Sequence, residues 1–371
     1  MIPIDPATTR RILVRANNWI GDVVLISPAV RALREHFPEA RLAILGKRWV
    51  LEALSGNPYF DDLIEYDRRG RHAGLAGRLR LSAELRRGGR FDLAILFQKA
   101  FDAAAIAWMA GARHRVGYAT DARRALLTHA LPLPPAGTHH AEIFLGLARA
   151  VGCPVRDARP FFHLSERDRA GAEATLRRAG LAGARPLVAL HVGASKPPRA
   201  WHLERFAELG RRLLAPHDAR LIVLGAPGEV PLLESLVAGL PPGSFLIPDP
   251  SAGLRASAAI LERCHLFIGN DSGPMHLAAA LDVPTLGIFG PGLPRTTGPV
   301  GRGARVATVG RDYPCAPCRQ DFFRECSPAP SGKPFCLEEV DVGTVEQAAT
   351  ALLRGAGAGG DRRSEGVPGV F

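Results

Sequence analysis

The 371-residue chain is short of lysine, with only Lys47, Lys99, Lys196 and Lys333, and aromatic residues make up just 6% of it. Arginine and alanine are abundant instead, a compositional bias that carries little functional information. No apolar run reaches the roughly 18 residues of a membrane-spanning helix. The best candidate, Ala103 to Ala112, is bounded by Asp102 and Arg113. The opening segment, Met1 to Val14, lacks the apolar stretch of a secretory signal peptide. Glycine and proline number 40 and 31 without any period, which excludes collagen. Neither a Walker A loop nor a G-x-G-x-x-G run follows a predicted strand, so the P-loop and NAD fingerprints are missing. These absences leave a cytosolic protein of about two domains on the ~150-residue prior.

What the chain does have is positive charge, +11 formally. Of this, +9 falls within residues 1–164. It concentrates in Arg68, Arg69, Arg71, Arg78, Arg80, Arg86, Arg87 and Arg90, opposed in that stretch only by Glu84. Guanidinium forks suit phosphates and carboxylates, and a surface of one sign gathers anions. The stretch is read either as a solvated helix and loop or as a docking surface for an anionic acceptor or membrane face. Nucleic acid is not an expected partner, because stacking aromatics and the known nucleic-acid motifs are missing.

Short apolar runs alternate with loops and 3.6-period helices. Ile12–Ala16, Leu42–Leu45, Leu63–Tyr66, Leu93–Phe97 and Val116–Tyr118 read as buried strands, with Val23–His36 as a helix after the first. The pattern breaks at Leu131–Gly137 and Cys153–Pro160, then restarts with strands Leu187–His191, Leu221–Leu224, Leu266–Ile268 and Thr285–Phe289. Such alternation predicts an α/β protein of two Rossmann-like, parallel-sheet domains facing across a cleft. The expected ranges are 1–160, 161–354 and a disordered Gly-rich tail, 355–371.

In such sheets ligands bind beyond the carboxyl ends of the strands, at helix N-termini. Four loops qualify. Asn17–Asp22 ends in an aspartate that is either a helix N-cap or a general base. His191–Trp201 carries two cations, Lys196 and Arg199, able to clamp a phosphate or to lie solvated. Gly225–Glu229 places Glu229 where it accepts from ribose hydroxyls or simply meets water. Asn270-Asp271-Ser272-Gly273-Pro274 follows a buried strand and opens a helix of small residues, so the amides of Ser272 and Gly273 present a diphosphate site. His276, on the first turn of that helix, is either a core histidine or a further donor to the same phosphate. Gly290-Pro291-Gly292 ends the next strand beside it.

Taken together, these motifs resemble glycosyltransferase family 9, the ADP-heptose:lipopolysaccharide heptosyltransferases, and most of all the heptosyltransferase II branch. The resemblance runs from about Arg11 to Leu353 and rests on Ile12 through Asp22 with Ser27-Pro28-Ala29, Arg199-Ala200-Trp201, Asp271 through His276, Phe289-Gly290-Pro291 and the late cysteines. It implies a GT-B fold, an acceptor on the first domain, ADP-heptose as donor on the second and no required metal or other cofactor. It implies Asp22 as catalytic base. Arg199 replaces the lysine usual two residues before the tryptophan, with Lys196 as the fallback. Glu229 lies near the family's ribose-binding acid, and Asp271, Ser272, Gly273 and His276 match its nucleotide-diphosphate motif. The implied reaction is inverting transfer of heptose to the phosphorylated inner core of lipopolysaccharide. The implied location is peripheral, at the cytoplasmic face of the inner membrane. The rival readings are a GT-B enzyme for another nucleotide sugar and a non-catalytic polyanion- or membrane-binding protein on the same scaffold.

Six cysteines complete the inventory. Cys153 and Cys264 stand alone and read as buried. Cys315, Cys318, Cys326 and Cys336 cluster with a spacing that suits either structural zinc or free thiols.

Overall fold

The computed structural model describes residues 4–357, apart from 185, 303–304, 311–312, 316–317, 319–320 and 325. The chain divides into two compact units, Met1–Asp168 with Arg295–Thr297, and Arg169–Pro294 with Gly298–Phe371. The division falls at Asp168, beyond the expected residue 160, and inside a helix. Of the expected tail, 355–357 belong to the last described helix, Val342–Gly357, and the rest lies outside the described residues.

The first unit is built on six parallel strands, β1 (Arg11–Arg15), β2 (Arg41–Gly46), β3 (Asp62–Glu65), β4 (Leu93–Leu96), β5 (His114–Tyr118) and β6 (His129–Leu131), in the order β3-β2-β1-β4-β5-β6. Between them run α1 (Ile20–Leu25), α2 (Ser27–His36), α3 (Arg48–Ala53), α4 (Gly74–Arg87) and α5 (Phe101–Met109), with α6 (His140–Ala150) after β6. The central strands are branched or leucine-rich because helices cover both faces; all four residues of β4 are buried. The edge strand β3 alternates between half-buried and exposed instead.

A single helix was expected over Val23–His36, and two are found. Pro28 has no N–H for the Val24 carbonyl, and the Ser27 hydroxyl takes that carbonyl instead, at 2.6 Å. The helix also begins at Ile20, so Asp22 sits within its first turn and is not its N-cap; Trp19 holds that position and makes no side-chain cap.

The second unit repeats the plan. Strands β7 (Leu187–His191), β8 (Arg220–Leu224), β9 (Phe245–Leu246), β10 (Leu266–Asn270), β11 (Thr285–Ile288) and β12 (Val306–Val309) are ordered β12-β11-β10-β7-β8-β9, all parallel. Helix α7 (Glu166–Arg178) leads in, and α8 (Leu203–His217), α9 (Val230–Val237), α10 (Gly253–Glu262) and α11 (Gly273–Ala280) fill the crossovers. Its core joins β7, β8 and β10 to Phe206, Leu209 and Leu213 of α8 and to Trp201. Both sheets thus have the Rossmann order, and in each the strand direction of travel reverses beside the first strand: at β1/β4 and at β7/β10. Strands β6, β9 and β12 escaped the sequence reading because they are short edges with weak apolar signal.

One buried arginine fixes the loop after β4. Arg123 donates to the carbonyls of Tyr118 at 2.9 Å, Ala100 at 3.3 Å and Gln98. Thr120 Oγ1 donates to the Lys99 carbonyl at 2.9 Å. Asp121 and Ala122 turn the chain between them through left-handed backbone, with φ of 51° and 53°. Removing the guanidinium leaves buried carbonyls without donors. Arg123→Met should therefore lose about 2–3 kcal/mol of unfolding free energy in urea titration; a wild-type midpoint would show that the clamp carries no stability.

Candidate active site

In the first unit, the reversal at β1/β4 opens a pocket of about 230 Å³ lined by Asn17, Asp22, Gln98, Lys99, His140 and Phe144, among others. Asp22 reaches it from the first turn of α1, Lys99 from the loop that Arg123 clamps, and His140 from the start of α6. Burial is the largest influence on the Asp22 carboxyl and pushes it up to about 6, against the opposing pull of the Lys99 ammonium and a hydrogen bond from Asn17. Burial in turn lowers the Lys99 ammonium, which the Asp22 charge partly restores. His140 is held below its ordinary value by burial first, then by Lys99. The pocket therefore offers one carboxylate poised to take a proton near neutrality, one cation and one neutral imidazole. Lys99 and His140 were not singled out from sequence; no motif flags them, and only the β1/β4 adjacency brings them to Asp22.

In the second unit, the loops after β7 and β10 meet at the equivalent reversal. The Arg199 guanidinium donates to the Asp271 carboxylate at 2.7 Å and to its carbonyl at 2.8 Å. Asn270, fully buried, ties the two loops together: its amide donates to the carbonyls of Val192 and Gly193, and its oxygen accepts from the Trp201 amide at 2.9 Å. Lys333 donates to the carbonyls of Pro197 and Ala200, bracing the turn that carries Arg199. Lys333 too went unnoticed in the sequence, being remote from the loop it supports.

Past Asp271, the chain enters α11 with Ser272 as N-cap and Pro274 in the first turn. The amides of Ser272 and Gly273 donate to no carbonyl among the described residues, and the buried Ser272 hydroxyl has no hydrogen-bond partner there. Free donors at a helix N-terminus form an anion site. His276 is buried one turn on. Asp271 is committed to Arg199, and its carboxylate packs so closely on Gly292 that a Cβ there would lie 2.1 Å from Oδ2. The contact fixes the position of the guanidinium at the end of β10.

Glu229 accepts from the Ala226 amide at 2.8 Å and tucks against Gly193, where a Cβ would fall 2.0 Å from Oε1. Lys196 is exposed on the β7 loop with its ammonium 5.6 Å from the centre of the Phe322 ring.

A family model described as glycosyltransferase family 9 (heptosyltransferase) matches residues 78–326. The chain belongs to glycosyltransferase family 9. As a family 9 member it is a glycosyltransferase enzyme. It is 26% identical to lipopolysaccharide heptosyltransferase 2 of Escherichia coli K12 over 82% of this chain and 89% of that one. The Salmonella typhimurium protein of the same name is 27% identical over the same shares. Among solved structures, a family 9 glycosyl transferase from Veillonella parvula covers 93% of this chain and 97% of its own at 22% identity, with a TM-score of 0.79. The structure of E. coli ADP-heptose lps heptosyltransferase II gives 0.74, at 22% identity and coverage of 93% and 99%. The fold class is accordingly GT-B.

The remaining expectations concern metals and membranes. Among the described residues no group of three or more His, Cys, Asp or Glu is arranged to hold a metal ion. Cys315, Cys318, Cys326 and Cys336 are partly exposed, Cys153 and Cys264 are buried, and among the described residues none of the six is in a disulfide. Nor, among the described residues, is any helix long and apolar enough to cross a membrane.

The electrostatics of this family 9 pocket give a direct check. Carbon-13 NMR of Asp22 should show it half-ionised near pH 6. In Lys99→Met the opposing cation is gone and the midpoint should rise; an unmoved midpoint would show that Lys99 does not act on the carboxylate.

Proposed function

We propose that this enzyme transfers heptose, with inversion, from ADP-heptose to the inner core of lipopolysaccharide, on a Kdo–lipid A or heptosyl-Kdo–lipid A acceptor. The observation carrying this is Asp22: a carboxyl raised to about 6 in the β1/β4 pocket of a family 9 chain. The resemblance of the chain to two lipopolysaccharide heptosyltransferases 2 supports the sugar and the lipopolysaccharide acceptor.

In this reading the first unit takes the acceptor and the second the nucleotide sugar. Asp22 accepts the proton of the acceptor hydroxyl as its oxygen bonds to the anomeric carbon. The bond from that carbon to the β-phosphate oxygen breaks on the other face, and the sugar is cation-like in between. A base so placed contributes about 10²–10⁴-fold. Charge arriving on ADP is met by the amides of Ser272 and Gly273 and by Arg199, with His276 as a further donor. Asp271 positions Arg199, Glu229 binds the ribose, and Lys196 supports the nucleotide from the rim. Work at the cytoplasmic face of the inner membrane follows from where such an acceptor is made.

Mass spectrometry of a donor panel offered to Kdo–lipid A and monoheptosyl acceptors should find ADP-heptose used; transfer only from another nucleotide sugar would overturn the reading. Asp22→Ala should lower transfer by about 10²–10⁴-fold while ADP affinity is kept. Loss of ADP affinity would make Asp22 structural instead. The base must be ionised, so wild-type kcat/KM should climb as pH rises through about 6. Gly193→Ala should push Glu229 aside and raise the KM for donor several-fold, with folding stability changed by less than about 1 kcal/mol because only a flexible side-chain end must move.

A further inference from the structure

The first unit carries a second concavity that the reaction does not use. A groove of about 650 Å³ lies between the C-terminal halves of α4 and α5, lined by Leu79, Arg86, Arg87, Arg90, Trp108 and Arg115, among others. It opens at the edge of the sheet where strands begin, whereas Asp22 and Lys99 sit where β1 and β4 end.

Two features of its walls stand out. The first is charge outside ion pairs: Arg71 pairs with Glu84 and Arg78 with Asp102, but among the described residues Arg86, Arg87 and Arg90 enter no ion pair, Arg90 donating through Nε to the Gly111 carbonyl at 3.2 Å. Arg115 spends its guanidinium on the carbonyls of Leu126 and Ala112 and forms the groove's wall. The second is apolar surface left in water. Leu79 is 53% exposed and Trp108 54%, and the stripe continues one turn up α4 to Leu75 (66%) and two turns up α5 to Phe101 (48%). Four of the nine large hydrophobics exposed among the described residues thus lie on this one helix pair. The helices hold together independently of any ligand, through the 2.6 Å Arg78–Asp102 ion pair.

We propose that the outer face of α4 and α5 docks the enzyme on an anionic phospholipid bilayer, with Leu75, Leu79, Phe101 and Trp108 seated at the headgroup–acyl boundary and Arg86, Arg87 and Arg90 on lipid phosphates. A row of tryptophan, phenylalanine and leucine flanked by arginines outside ion pairs matches the interface region, apolar below and anionic above. A soluble anion would use the charge and leave the apolar stripe unexplained. Both helices start at the sheet edge that bears Asp22, so a unit lying on this face keeps that edge beside the membrane. The inference rests on the membrane-linked acceptor proposed above and assigns its location on the molecule.

The test uses the full chain with vesicles of phosphatidylethanolamine and phosphatidylglycerol, and with phosphatidylcholine vesicles as control. Wild type should cosediment with the anionic vesicles in a salt-sensitive way and show a tryptophan blue shift. Changing Arg86, Arg87 and Arg90 together to Gln should weaken partitioning on the order of 100-fold. Leu79→Ser with Trp108→Ser should weaken it about tenfold or more and abolish the shift. Both variants should keep wild-type kcat on a deacylated, water-soluble acceptor, which also certifies that they fold. Equal binding by wild type and variants, no wild-type binding to anionic vesicles, or equal binding to phosphatidylcholine would each overturn the proposal, as would a matching loss of transfer on the soluble acceptor. Absence of heptosyl transfer by wild type, with vesicle binding intact, would defeat the functional reading alone.

Discussion

Where two adjacent parallel strands send their connections to opposite faces of a sheet, the loops at their carboxyl ends diverge and leave a gap that backbone cannot fill. This constraint acts twice in the chain, at β1/β4 and at β7/β10. Each gap receives a helix N-terminus, one carrying Asp22 and the other the Ser272 and Gly273 amides. The identity of the side chains decides what each gap does. Topology alone decides that there are two and that polar chemistry collects there.

Within the first gap, the balance between burial and charge sets the acidity of Asp22. Burial alone would hold the Asp22 carboxyl still higher, and Lys99 with Asn17 bring it down to about 6. A carboxylate far below that value would be a feeble proton acceptor, and one far above it would be protonated at neutral pH. In the second gap the same logic runs through an ion pair. Arg199 and Asp271 are both largely buried, so neither stands without the other. The pair delivers a cation to the end of β10 while the nearby amides remain free.

Much of this was legible in the residues. The central strands announced themselves as unbroken apolar runs, and the loops at their ends carried Gly, Asp and Ser where turns and helix starts favour them. Those loops drew attention to Asp22, Arg199, Asp271 and Ser272, and the structure places each of them at a β1/β4 or β7/β10 reversal. Three things were hidden. Short edge strands such as β9 have too few residues to show a period. The break at Ile26 came from a local contest between Pro28 and the Ser27 hydroxyl, while the overall helical pattern ran straight through it. Lys99, His140 and Lys333 act through neighbours distant in sequence, and no local pattern encodes such adjacency. The arginine stretch was visible as charge, but its division into paired and unpaired members needed the geometry of α4 and α5.

The manner in which the loop after β4 is fastened has an evolutionary corollary. Arg123 and Thr120 grip it by main-chain oxygens, so the anchoring is indifferent to the side chain carried at position 99. A lineage can exchange that residue for a neutral or shorter one without dismantling its support. The acidity of the neighbouring carboxyl thereby becomes a separately tunable trait, while the scaffold stays put.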